Sequence, residues 1–173
     1  MNRTIAALAS ALASLAWADA KNTDSIADKN KAVVERYENE FKNKENVAIV
    51  DELMAPDFVH HFPDPNAPAG REGLKQLGRG FFAGFPHADL TSTIEQILAD
   101  GDKVVTQTRV KAVHKGTFNG YPATGRSVTW TEINIYRLKD GKIVDLFAMP
   151  NLAGIMGQLV AAAPAPAAAP GKK

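Results

Sequence analysis

The stretch "GDKVVTQTRVKAVHKG", residues 101–116, decides the fold. Val104, Thr106, Thr108, Val110, Ala112 and His114 fall on alternate positions, with Val105, Gln107, Arg109, Lys111 and Val113 between them. A period of two in a β-branched run specifies a strand with two unlike faces. "RSVTWTEINIYRL" (126–138) repeats the pattern, setting Val128, Trp130, Glu132, Asn134 and Tyr136 against Thr129, Thr131, Ile133, Ile135 and Arg137. "KDGK" (139–142) supplies an Asp-Gly turn, and "IVDLFAM" returns as the hairpin partner. On the other side, "ADLTSTIEQILAD" (88–100) leads into the first strand. This half is an antiparallel meander.

Upstream the period changes to about 3.6, the spacing of helices. Ser25 is placed to cap a helix carrying Ile26, Val33, Val34, Tyr37 and Phe41. Asn46 is placed to cap a shorter one with Val47, Val50, Leu53 and Met54, ended by Pro56. "DFVHHF" (57–62) reads as extended and "PDPNAPAG" as an irregular loop. A third helix sets Leu74, Leu77, Phe81 and Phe85 on one face, although its four glycines weaken it by up to about 1 kcal/mol each. Helices first and a meander afterwards indicate an α+β fold, with helices on one face of a curved sheet. Three modest helices do not fill such a concave face, so a cone-shaped pocket is expected at its open end.

The ends of the chain are of another kind. "MNRTIAALASALASLAWADAK" has a basic start, a short apolar run and Ala18-Asp19-Ala20, the pattern of a signal peptide over residues 1–20. The expected destination is the periplasm or the exterior. Residues 161–173 are Ala/Pro-rich low complexity and are read as a disordered tail. Residues 21–160 then form one domain holding 17 basic and 18 acidic side chains. With no basic stripe or charge block, neither nucleic acid nor an anionic membrane is expected as partner. Cysteine is absent, which removes thiol chemistry and cysteine metal sites.

The segments "VVERYENEF", "DELMAPDFVHHFPDP", "GREGLKQLGRGFFAGFP", "HKGTFNGYPATGR" and "NLAGIMGQL" follow one another in an order and spacing that resembles the SnoaL-like polyketide cyclase, or ester cyclase, family. That family lies within the nuclear transport factor 2-like superfamily. The likeness runs from about Lys31 to Leu159. It implies a cone-shaped α+β fold with a curved, mainly antiparallel sheet of four to six strands, three N-terminal helices and a short C-terminal one. It also implies a homodimer or homotetramer built through the sheet, a hydrophobic small-molecule ligand, and a cofactor-free aldol cyclisation, isomerisation or hydration.

In that family an aspartate opening the C-terminal segment is the acid/base, beside a histidine in an "H-x-G-x-F" stretch. The histidine is matched by His114, whereas Asn151 stands in the aspartate's place. An amide orients or donates but does not exchange protons near neutral pH. Two functions therefore stand side by side: an enzyme with His114 as proton carrier and Asn151 as orienting donor, or a non-catalytic binding protein. Both require His114 and Asn151 to project into the pocket. His114 is alternatively a strand-end histidine bonded to a neighbouring loop.

His61, Trp130, Glu132 and Phe147 are the expected ligand contacts. Glu132 and Asp145 are the carboxylates that could replace the lost base, Asp145 being read as solvent-facing; Glu132 reads equally as an exposed ion-pairing residue. Trp130, Phe147 and Met149 also suit a core. His60 and His61, adjacent in an extended segment, point to opposite faces. Asp64, His87 and Glu132 add no metal-site spacing, so no metal is expected.

Overall fold

The computed structural model describes residues 26–61 and 67–160. The expected signal peptide and tail, the Ser25 cap and Asp64 lie outside these residues.

The first helix, α1, covers 26–38 and continues as a π-helical turn over Asn39–Asn43. Then follow α2 (Ile49–Leu53), β1 (Met54–His60), α3 (Gly70–Gly84), β2 (Leu90–Asp100), β3 (Lys103–Val113), β4 (Ser127–Lys139), β5 (Lys142–Pro150) and α4 (Leu152–Val160). The five strands form one curved sheet in the order β1-β5-β4-β3-β2. All pairings are antiparallel except β1 with β5, which run parallel. The fold class is α+β.

Strand faces follow the sequence. Val104, Thr106, Thr108, Val110 and Ala112 of β3 are buried, as are Val128, Trp130, Glu132, Asn134 and Tyr136 of β4. The helices lie on this concave side. Val34, Tyr37 and Phe41 of α1 and Leu74 and Phe82 of α3 pack against Val104, Tyr136, Ile143 and Leu146. A second apolar cluster joins Phe85, Val110, Trp130, Ile155 and Leu159, bringing α4 over one end of the sheet. Gln158 fastens α4 there: its side chain accepts from Thr129 N and donates to Thr129 O, both at 2.9 Å.

Three local readings change. Ile26 is exposed, and the inward face of α1 instead runs through Ala27, Asn30, Val34 and Tyr37. Asn46 does not cap α2; its side-chain amide donates to Glu40, and Ala48 stands at the cap. The extended segment begins at Met54, because parallel pairing with β5 recruits residues on both sides of Pro56.

Gly73, Gly78 and Gly84 of α3 are positions of close approach. A Cβ on Gly78 would sit 2.5 Å from the Phe41 ring, so only glycine lets that ring lie against the helix. Tertiary packing thus replaces what the helix loses in propensity.

Candidate functional site

Between α1, α3, α4 and the concave face lies a cavity of about 650 Å³. Its walls are apolar: Phe41, Leu74, Leu77, Phe81, Trp130 and Ile155 among others. Leu77 is exposed because it faces this space instead of the core. The volume falls within the range of pockets for small organic ligands.

The polar part of the wall is a network joining α1 to β4. Lys42, in the π-helical turn, makes an ion pair with Glu132 and another with Glu38 Oε2 at 2.9 Å, one turn back. Trp130 Nε1 donates to Glu132 Oε1 at 2.9 Å. Glu38 Oε1 accepts from Tyr136 Oη, from Asn134 Nδ2 at 3.1 Å and from Thr106 Oγ1 at 3.5 Å. Glu38 and Asn134 are almost fully buried. Such a network is tolerable away from water because each charge meets an opposite charge or several hydrogen bonds.

Electrostatics fixes the protonation of most of these groups. Burial opposes the charge on Lys42, yet Glu132 and Glu38 override it and hold its pKa above the ordinary 10.5. Burial likewise works to raise that of Glu132, but Lys42 and the Trp130 N–H leave it below the usual carboxylate value. Burial first, and Glu38 second, push the hydroxyls of Tyr37 and Tyr136 well above 10. Lys42, Tyr37 and Tyr136 keep their protons near neutral pH and Glu132 stays ionised.

His60 is different. It lines the same cavity and is 9 % exposed, and its Nε2 is buried without a hydrogen-bond partner among the described residues. Burial, with a smaller push from neighbouring His61, lowers its pKa below 6.5.

The sequence-predicted residues separate into two groups. Trp130 and Glu132 line the cavity, and Glu132 is buried and paired with Lys42 instead of exposed. His114 does not line it. It is fully buried beneath Phe85, with ring centroids 5.2 Å apart, and Thr124 N donates to its Nδ1 at 3.3 Å. The ring proton is therefore on Nε2, which is buried and has no partner among the described residues, and burial lowers the pKa. This is the loop-bonded strand-end arrangement.

Asn151 does not project into the cavity either. Its Oδ1 accepts from Gly154 N at 2.9 Å, so the amide is the N-cap of α4, on the exposed side. The requirement that both groups enter the hollow is corrected by these two placements.

His61 and Phe147 stack on each other on the opposite, convex face, with centroids 3.7 Å apart and planes at 3°. His61 Nε2 lies 2.8 Å from Asp145 Oδ1, and Arg137 pairs with the other carboxylate oxygen. Asp145 is consequently 8 % exposed instead of solvent-facing. A β-bulge explains why Phe147 leaves the concave side. From the turn, Lys139 pairs with Lys142 and Leu138 with Ile143, but Arg137 pairs with Asp145, skipping Val144. The shift by one residue sends Asp145 and Phe147 outward.

Glu38, Lys42 and His60 are the site residues that sequence reasoning missed as a set. The available signal was Tyr37-Glu38 followed four residues later by Phe41-Lys42, an apolar and a charged residue side by side on one helix face.

The SnoaL-like polyketide cyclase family model matches residues 31–159. No curated protein matches the chain. Among solved structures, a protein assigned as a SnoaL-like polyketide cyclase from Jannaschia sp. CCS1 is 26% identical, with a TM-score of 0.71, over 80% of this chain and 96% of its own. IdmH from Streptomyces antibioticus, assigned as a polyketide cyclase, is 30% identical with a TM-score of 0.65 over 75% and 97%. AclR from Streptomyces galilaeus, assigned as a hydroxylase, is 26% identical with a TM-score of 0.67 over 77% and 96%.

Proposed function

The chain belongs to the SnoaL-like polyketide cyclase family, and on that premise we propose that its concave cavity binds an apolar carbonyl compound and carries out cofactor-free proton-transfer chemistry on it. Aldol cyclisation, isomerisation and hydration all need the same parts: a proton carrier, hydrogen-bond donors and walls that exclude water. The observation that carries this reading is the Glu38–Lys42–Glu132 network at the wall of a mainly apolar cavity of about 650 Å³. Lys42 has three N–H donors, and two face Glu38 and Glu132, which leaves a third for a ligand oxygen.

The test is solvent deuterium exchange of the α-protons of 2-tetralone, an apolar ketone with acidic C–H bonds, followed by NMR. Saturable exchange above the buffer rate is the expected result, and its absence removes the catalytic reading.

One observation favours the second reading, a non-catalytic binding protein. Neither Asn151, at the family's acid/base position, nor His114, at that of the neighbouring histidine, reaches the cavity. Binding of 2-tetralone without exchange is the outcome that selects it.

We also propose that the sheet's convex face is covered by a second copy of the chain. Ile133, Ile135, Phe147 and Met149 adjoin there through the pairs Ile133–Met149 and Ile135–Phe147, at exposures of 37% to 55%. Export to the periplasm or beyond is proposed from the leader pattern of residues 1–20, and fractionation of cells carrying a C-terminally tagged full chain tests it.

A further inference from the structure

We propose that His60 is the proton acceptor of this cavity, a catalytic residue for the enolisation of an α-C–H bond; the inference rests on the catalytic reading above. The family resemblance points to His114 and position 151, and both are committed elsewhere. The remaining described titratable groups of the wall are Tyr37, Lys42, Glu132, Tyr136 and His60.

Four of the five are poor bases. Lys42 is held as an ammonium and has no lone pair. Glu132 has both oxygens engaged, one by Lys42 and the other by Trp130, and its lowered pKa makes it a weak base. Tyr37 and Tyr136 stay protonated. His60 alone among them has a ring that lines the cavity, is neutral near pH 7 and carries a buried nitrogen, Nε2, with no partner among the described residues. A buried unsatisfied nitrogen is costly, which calls for a partner in the working state.

Its place in the sheet suits the task. His60 pairs with Leu146, and Leu146 with Tyr136, so the ring stands at the β1 end of a cross-sheet row that reaches the polar network. Two strand spacings make that about 10 Å. A bound ligand thus meets a proton acceptor on one flank and fixed donors on the other.

In the step, a C–H bond next to the ligand's carbonyl breaks. The proton goes to the unprotonated nitrogen of the His60 imidazole, and the electron pair of the broken bond forms the enolate C=C bond with the charge on oxygen. Return of a proton to carbon restores the neutral imidazole, and no co-reactant is consumed.

The experiment compares the native chain with His60→Gln, which keeps a polar side chain of similar reach but exchanges no proton. The 2-tetralone exchange rate should fall by about 10² to 10⁴, while 2-tetralone binding, followed by NMR titration, stays close to native. Exchange that survives in His60→Gln overturns this inference and leaves the catalytic reading intact. No exchange by the native chain overturns both. Should the variant not fold, ¹⁵N-histidine NMR of the native protein decides instead. The ring ¹⁵N resonances of His60 must move on addition of 2-tetralone, and unmoved resonances overturn the assignment.

Discussion

Trp130 Nε1 donates to Glu132 Oε1 at 2.9 Å from two residues away on the same strand face. The other carboxylate oxygen belongs to Lys42, so Glu132 is oriented from the sheet and from α1 at once. Helix and sheet are thereby tied together through a charge that neither could bury alone.

Lys42→Met should expose what that tie is worth. The change leaves Glu38 and Glu132 in an apolar cavity without a cation, a situation that typically costs about 3–5 kcal/mol. Urea unfolding should show the midpoint falling by a corresponding amount. Adding Glu38→Gln and Glu132→Gln should recover a good part of the loss.

Asn151→Ala should lower stability by about 1 kcal/mol, the usual cost of deleting an N-cap. Asn151→Asp should do no harm and add a few tenths of a kcal/mol, because a carboxylate favours a helix N-terminus. It should bring no gain in 2-tetralone exchange, since the side chain caps α4 outside the cavity. Thermal denaturation and the exchange assay check both halves.

Stability should fall on mild acidification. Burial depresses the pKa values of His60 and His114 below the 6.5 of a free imidazole. The unfolded chain then binds more protons than the folded one, so stability rises with pH through this region. The contribution is fully present above about 6.5 and is lost as pH drops from there through the folded values. Glu132 acts lower, below the ordinary 4.5. A Tm series from pH 8 to pH 5 should therefore be flat at the top and slope downward below about 6.5. His114→Gln should make that slope shallower.

Gly80→Phe should block the cavity without unfolding the chain. A side chain at Gly80 meets nothing within 4 Å, and the residue lines the cavity, so the ring has space only at the ligand's expense. Gly78→Ala is the contrast: its methyl meets the Phe41 ring and should cost about 1–3 kcal/mol. Displacement of an apolar fluorescent dye, read beside a melting curve, separates the two effects.

Ile135→Glu, on the convex face, should shift the chain toward monomers. Light scattering on a sizing column measures it, and a native chain that is already monomeric rules out the second copy.

Much of this architecture was legible because strands announce their faces. The alternation in 128–136 correctly set Trp130, Glu132, Asn134 and Tyr136 together, and the helices appeared near their expected bounds. The failures have physical causes. Phe147 could not be assigned to a face without knowing the bulge at Val144, which leaves no mark in the residue pattern. Asn151 was read by its chemistry when its position, first before a helix, had already committed its oxygen to Gly154 N. Glu38 and Lys42 escaped because apolar periodicity ignores charged residues, even where two carboxylates and an ammonium neutralise one another indoors.

The π-helical turn at Asn39–Asn43 has a consequence for how this chamber could diversify. Each residue of a helix turns the next by about 100°. Losing a single codon there would swing the ammonium of Lys42 away from its two acids while leaving every side chain of the strands untouched. Related chains could thus trade one lining for another by insertion or deletion in that short loop of helix, without redesigning the basket that holds it.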